Sequence, residues 1–228
     1  MVEIKAKAIL FDMDGILVNT VKCVEKWWRI LAKQHNVDID SMIHDIHGRP
    51  TYDLLSSWFP EPMHTREKAQ ECERLIMMDT DGVHIVPGAD KLLASLNRDQ
   101  WAIVTGATEE LARTRLAQVG LAEPEHLVAS HSIASGKPAP DCYQLGARLL
   151  NVRPEETVVF EDSVNGVKAG VQAGALVVAI LSSTSESLLR DAGASYAVRD
   201  FGAVGVTSSD GVLTLSIDEQ EALLYSLD

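Results

Sequence analysis

Cysteine is scarce in this 228-residue chain: Cys23, Cys72 and Cys142 stand apart, with no CxxC pair among them. That spacing argues against a disulfide framework and against a zinc site, and it suits a reducing compartment with buried or idle thiols. No apolar run approaches the ~20 residues that cross a bilayer. Met1-Val2-Glu3-Ile4-Lys5-Ala6-Lys7 also lacks the apolar stretch of a secretory leader, so a cytoplasmic protein without membrane contact is expected. Basic residues are outnumbered, 20 against 33 acids, giving a formal net charge of −13. Such a field repels a phosphate-rich polymer, which makes nucleic acid and anionic membranes poor partners. A small anionic ligand needs named basic groups or a metal at its site. Internal repeats and low-complexity stretches are missing too, and with 46% hydrophobic and 23% charged residues the chain reads as an ordinary globular protein. A monomer is expected.

What is present is an alternation. Short apolar runs rich in β-branched residues (Ala8 to Phe11, Trp101 to Val104, Leu127 to Ala129, Val158 to Phe160, Leu176 to Ile180) are separated by helical patterns such as Leu111, Ala112, Arg115, Leu116 and Val119. Strands alternating with helices predict an α/β fold, a doubly wound and mostly parallel sheet whose strand ends gather ligands. One stretch breaks the rule. Residues 19–83 carry no convincing strand, while Val21, Val24, Trp28, Leu31 and His35 repeat at helical spacing and Thr65 is placed to cap a second helix running to Met78. The chain therefore reads as a core of residues 1–18 and 84–228 with a helical cap inserted at 19–83. Trp27, Trp28 and Trp58 are assigned to packing within that cap. Ser208-Ser209-Asp210-Gly211 between two apolar runs predicts a carboxyl-terminal β-hairpin, added at a sheet edge.

Chemistry concentrates at the predicted strand ends. Asp12 and Asp14, two positions apart behind an apolar strand and followed by Gly15, form an acid pair. Two carboxylates this close need a cation between them or a shared proton. Thr105-Gly106-Ala107-Thr108 follows a strand and opens a helix, where a hydroxyl and free N–H groups can seat a phosphate oxygen. Lys137 stands in the stiff loop Ser135-Gly136-Lys137-Pro138-Ala139-Pro140, and Glu161-Asp162 ends another buried strand. Oxygen ligands of this kind suit Mg²⁺.

In that order and context, Asp-x-Asp-Gly, Thr, Lys and Glu-Asp resemble the haloacid dehalogenase superfamily of phosphohydrolases, over nearly the whole chain. The resemblance implies Asp12 as nucleophile, Asp14 as general acid and base, Thr105 and Lys137 as phosphate and charge anchors, and Asp12, Asp14, Asp162 and Glu161 around Mg²⁺. Ile16 and Asn19 depart from the usual motif, and Gly106-Ala107 stands where a serine or asparagine is more frequent, leaving backbone N–H groups of Gly106 and Ala107 to bind substrate. His47-Gly48-Arg49-Pro50-Thr51-Tyr52-Asp53 is similar to the cap loop of the sugar and polyol phosphatases in that superfamily, the group with glycerol, hexitol and 2-deoxyglucose-6-phosphate phosphatases. His47 and Arg49 are accordingly the candidates for recognising substrate hydroxyls. The expected activity is Mg²⁺-dependent hydrolysis of a small phosphorylated sugar or polyol through an aspartyl phosphate. Two alternatives stand beside it: a phosphomutase resembling β-phosphoglucomutase, which needs a second phosphate site in the cap, and a phospho-acceptor signalling module resembling a response-regulator receiver.

Overall fold

The computed structural model describes residues 1–218. Two strands open the chain, β1 (Val2–Ala6) and β2 (Ala8–Phe11), and they enter different sheets. All four residues of β2 are buried, as a strand covered on both faces requires. After the short β3 (Val18–Asn19) come four helices in succession, α1 (Val21–His35), α2 (Ile39–Ile46), α3 (Thr51–Trp58) and α4 (Arg66–Met78). β4 (His84–Ile85) then pairs antiparallel with β3, tying exit to return. The alternation resumes with α5 (Ala89–Ala94), β5 (Trp101–Val104), α6 (Glu109–Val119), β6 (Leu127–Val128), α7 (Asp141–Leu149), β7 (Thr157–Glu161), α8 (Val164–Ala173), β8 (Leu176–Ile180), α9 (Glu186–Asp191) and β9 (Tyr196–Val198). β10 (Val204–Ser209) and β11 (Val212–Ile217) close the described chain.

Six of these strands form one parallel sheet in the order β6-β5-β2-β7-β8-β9. The order reverses beside β2, so the carboxyl ends of β2, β5 and β7 bound a crevice at the switch point. Side-chain alternation divides the core into two layers. Ile9 and Phe11 join Ile103, Phe160 and Ile180 on one face, with Phe11 stacked on Phe160 at 5.4 Å between ring centroids. Ala8 and Leu10 join Val104, Val159 and Tyr143 on the other.

The four inserted helices hold an apolar cluster of their own around Trp28, Met42, Ile46, Leu54, Leu55 and Phe59. α1 and α4 form as their spacing predicts, and the Thr65 side chain caps α4 by accepting from the Lys68 N–H at 3.2 Å. α2 and α3 span eight residues each, too short for periodicity to declare them, and α3 takes in Thr51, Tyr52 and Asp53 of the segment read as a loop. Trp28 packs on Phe59 with centroids 5.8 Å apart, and the indole N–H groups of Trp27 and Trp58 donate to Asp79 and Asp45 within the same helical unit.

The carboxyl-terminal hairpin turns at Asp210-Gly211, both at positive φ, as Asp-Gly sequences favour. Its placement differs from the expected edge addition. β10 and β11 join β1 in a separate three-stranded antiparallel sheet, order β1-β11-β10, and Leu213, Leu215 and Ile217 pack into the Phe11 layer. β1, whose partner lies some two hundred residues away, supplies Ile4 and Ala6 to the same face. No helix among the described residues is long and apolar enough to cross a membrane.

Candidate active site

The site begins where β2 stops. Asp12 N–H still donates to Phe160 O at 3.0 Å, which fixes the Asp12 backbone at the mouth of the switch-point crevice. Gly15 then turns the chain with φ +79°, and a Cβ at that position would stand 2.0 Å from Asp162 Oδ2. Only glycine admits both that conformation and that approach. Beyond the turn, Thr20 reaches back to donate its hydroxyl to Asp14 Oδ1 at 2.5 Å.

Lys137 is buried, and its ammonium has three acceptors: Asp12 Oδ1 at 2.5 Å, Glu161 Oε1 at 2.6 Å and Val104 O at 3.2 Å. A cation that has left water is tolerable only when paired and hydrogen-bonded in this way. Desolvation opposes its charge, yet the carboxylates of Asp12 and Glu161 outweigh that and raise its pKa. Glu161 accepts from five donors: Lys137 and the Tyr143 hydroxyl on Oε1, and the N–H groups of Asp162 and Ser163 with the Ser163 hydroxyl on Oε2. Asp162 is held differently, its Oδ2 accepting from Ser182 at 2.9 Å and its carbonyl from Ser183 at 3.0 Å.

Oxygens of Asp12, Glu161 and Asp162 lie within 4.8 Å of one another, all in buried side chains. Burial raises the Asp12 pKa well above the usual carboxylate range; Lys137 opposes the rise, and the charges of Glu161, Asp162 and Asp14 add to it. Burial likewise pushes Asp162 up to about 6, opposed by His47 and the Ser183 and Ser182 hydrogen bonds and reinforced by Glu161. Asp14 is raised by burial too, against Thr20 and Arg115. Crowded acids with oxygen-only donors are what a hard divalent cation such as Mg²⁺ fits.

A cleft opens above Asp12 and Asp14, lined with them by Thr105, Gly106 and Ala107 from the core and by Trp28, His47 and Arg49 from the inserted helical segment. Thr105 is buried, with its hydroxyl oxygen accepting from Ala107 N–H at 3.1 Å, so that N–H is not left for substrate as the sequence suggested, and Thr108 caps α6. Gly48, at φ +82°, lets the cap loop descend onto α8; a Cβ there would meet Ser163 Oγ at 2.3 Å.

The two cap residues expected to read hydroxyls fare differently. His47 follows α2 at the cleft, with Nε2 3.4 Å from Glu25 Oε1; burial opposes its protonation, but Glu25, Asp162 and Asp14 together raise its pKa. The Arg49 guanidinium is engaged within the cap, donating to Asp45, to Ser57 Oγ at 2.9 Å and to Asp53 O at 3.4 Å. Its backbone borders Gly106, while its charge braces the loop.

Four contacts escaped the sequence reading. Arg115, fully buried on α6, donates to Ile76 O at 2.6 Å, Asp79 O at 2.8 Å and Cys23 Sγ at 3.3 Å, pinning the roots of α1 and α4. An arginine on the apolar face Leu111, Ala112, Leu116 was the available signal. Glu73 of α4 accepts the Thr108 N–H at 3.2 Å and its hydroxyl, joining the inserted helices to the start of α6. Thr20 and Tyr143, partners of Asp14 and Glu161, carried no local signature.

These features amount to an α/β fold with an acid cluster and a buried lysine at the switch point of its parallel sheet, beside a helical insertion. A family model described as haloacid dehalogenase-like hydrolase matches residues 6–174, and the chain belongs to that family. It is 36% identical over 180 residues to hexitol phosphatase A of Escherichia coli (77% of this chain, 83% of that one). It is 34% identical over 233 residues to 2-deoxyglucose-6-phosphate phosphatase 2 of Saccharomyces cerevisiae (92% and 94%). Among solved structures, a β-phosphoglucomutase from Clostridium difficile superposes with a TM-score of 0.71 over 86% of this chain and 91% of the other; at 22% identity that likeness is one of fold.

Proposed function

We propose that this chain is a Mg²⁺-dependent phosphomonoesterase for a small phosphorylated sugar or polyol, working through an aspartyl phosphate on Asp12. The observation that carries the reading is the buried Lys137 bonded at once to Asp12 and Glu161, with Asp162 beside them and Asp12 itself lining the cleft. Asp12 Oδ attacks phosphorus in line, the P–O bond to the alcohol breaks, and one difficult displacement becomes two easier ones. Asp14, whose raised pKa lets it carry a proton and whose orientation Thr20 fixes, protonates the leaving alkoxide and then takes a proton from the attacking water. Thr105 and the Gly106 N–H border the phosphate, the Ala107 N–H being taken by the Thr105 hydroxyl, and Lys137 carries the remaining countercharge. Asp12 and Asp162, with a group from Asp14, would hold the ion, which supplies charge neutralisation between nucleophile and phosphate. Glu161, whose oxygens already carry donors, contributes charge and holds Lys137. Residues 19–83 act as a cap, with His47 the hydroxyl-reading group.

The mutase alternative needs a free cation for a second phosphate. Of the three basic side chains on the cleft, Arg49 and Arg115 are engaged by the contacts above and His47 faces Glu25, which favours hydrolysis. Homologues named for sugar phosphates support the same substrate class. A screen of hexitol phosphates, hexose 6-phosphates and glycerol phosphates, with and without EDTA, tests it. Stoichiometric free phosphate is expected, lost by roughly 10²-fold or more with EDTA and restored by Mg²⁺. An isomerised ester without phosphate release would establish the mutase, and a lasting phosphoprotein without turnover the signalling module.

A further inference from the structure

We propose that Tyr143 is a positioning residue for this reaction: its hydroxyl holds the Glu161 carboxylate against the Lys137 ammonium and so keeps that ammonium aimed at Asp12. The inference rests on the phosphatase reading above. Tyr143 lies in the first turn of α7, immediately after the loop that carries Lys137, and is completely buried. Its hydroxyl donates to Glu161 Oε1 at 2.7 Å, and its ring centroid is 5.1 Å from Lys137 Nζ. One side chain thus touches both members of the ion pair, the anion through its hydroxyl and the cation through its ring face.

The chemistry of a tyrosine is what this position needs. Lys137 has four rotatable bonds and three acceptors, and its direction is only as fixed as they are. Val104 O belongs to the sheet, but Glu161 is a side chain, and the oxygens of Asp12 and Asp162 crowd it with like charge. Bonds from the Asp162 N–H and from Ser163 hold Oε2, while on Oε1 the Tyr143 hydroxyl is, among the described residues, the one donor besides Lys137 itself. A second cation in place of Tyr143 would compete with Lys137 for Glu161. Phenylalanine would keep the ring under the ammonium and release the carboxylate. Reaction geometry is unforgiving, a misplacement of ~1 Å being able to cost about 10²-fold in rate.

The test compares wild type, Tyr143→Phe, Glu161→Gln and the double variant, reading kcat and KM for the best phosphate ester and the ¹⁵N and proton-exchange signals of the lysine ammonium. Tyr143→Phe should lower kcat about tenfold, the scale of one net hydrogen bond, with KM within twofold. It should also shift the Lys137 Nζ resonance and speed exchange of its protons. Because the hydroxyl acts through the carboxylate, the double variant should be no slower than Glu161→Gln alone. If the hydroxyl served stability alone, Tyr143→Phe would lower the melting temperature and leave kcat and the Lys137 signal in place. An unmoved signal, a kcat within twofold of wild type, or additive losses in the double variant would each overturn the proposal. Should Tyr143→Phe fail to fold, Glu161→Gln decides: an unmoved Lys137 resonance there overturns it too. The ammonium signal is read without substrate, so an inert wild type in the phosphate screen would sink the phosphatase reading separately.

Discussion

Asp12→Asn is expected to abolish turnover, by a factor of at least about 10⁴, and to leave the protein as stable as before or more so. The rate loss follows from chemistry: an amide cannot attack phosphorus or form the acyl phosphate. The stability follows from the charges. Asp12 is a buried carboxylate crowded by Glu161, Asp162 and Asp14, and only Lys137 offsets them. Replacing its charge with an isosteric amide leaves Lys137 paired with Glu161 at 2.6 Å and removes repulsion from the other acids. Sites that hold like charges together for catalysis sit above their stability optimum in energy. Thermal unfolding and phosphate release measured side by side check both halves, and a variant with wild-type activity refutes the assignment of the nucleophile.

Lys137→Ala reverses the sign of the stability effect. The rate should fall by about 10²–10³, as for loss of one preorganised charge at the reacting centre. Stability should fall as well, by roughly 3–5 kcal/mol, because two buried carboxylates lose the cation between them. Linkage sets the pH dependence. Without Lys137 the Asp12 pKa, already raised in the folded protein, rises further. A carboxyl with a folded value above its unfolded one stabilises the fold while protonated and loses that contribution as pH climbs from the unfolded value through the folded one. The gap between variant and wild type in urea should therefore be narrower at pH 5 than at pH 8. A constant gap, or a rate loss under threefold, would make Lys137 a bystander.

These residues were legible because each stands at the end of an apolar run, where a parallel sheet places its ligands. Asp12, Thr105 and Asp162 follow β2, β5 and β7, three neighbouring strands, so a pattern spread over 150 positions folds into one crevice. Lys137 was legible for another reason: its loop is stiffened by Gly136, Pro138 and Pro140, and no other lysine lies nearby in the chain. What could not be read depended on partners remote in sequence. β1 is a strand because β11 pairs with it, and α2 and α3 are held by the cluster around Trp28 rather than by length. Arg49 sits in a segment similar to a substrate loop, yet Asp45 four residues earlier takes its guanidinium, a local contact that motif spacing does not reveal. Arg115 is the converse case, a charge on an apolar stripe whose acceptors, Ile76 O and Asp79 O, belong to the inserted helices.

The most direct measurement is a rapid-quench single turnover of an aryl phosphate by Asp14→Asn. A good leaving group needs no protonation, so the first step proceeds, while the second lacks its base and the intermediate accumulates. An acid-stable, hydroxylamine-sensitive phosphoryl group on the peptide containing Asp12, formed in a burst of about one aryl alcohol per chain, is the predicted result. Aryl alcohol released in step with free phosphate and no phosphoprotein, or a phosphoryl group on any other residue, would contradict it.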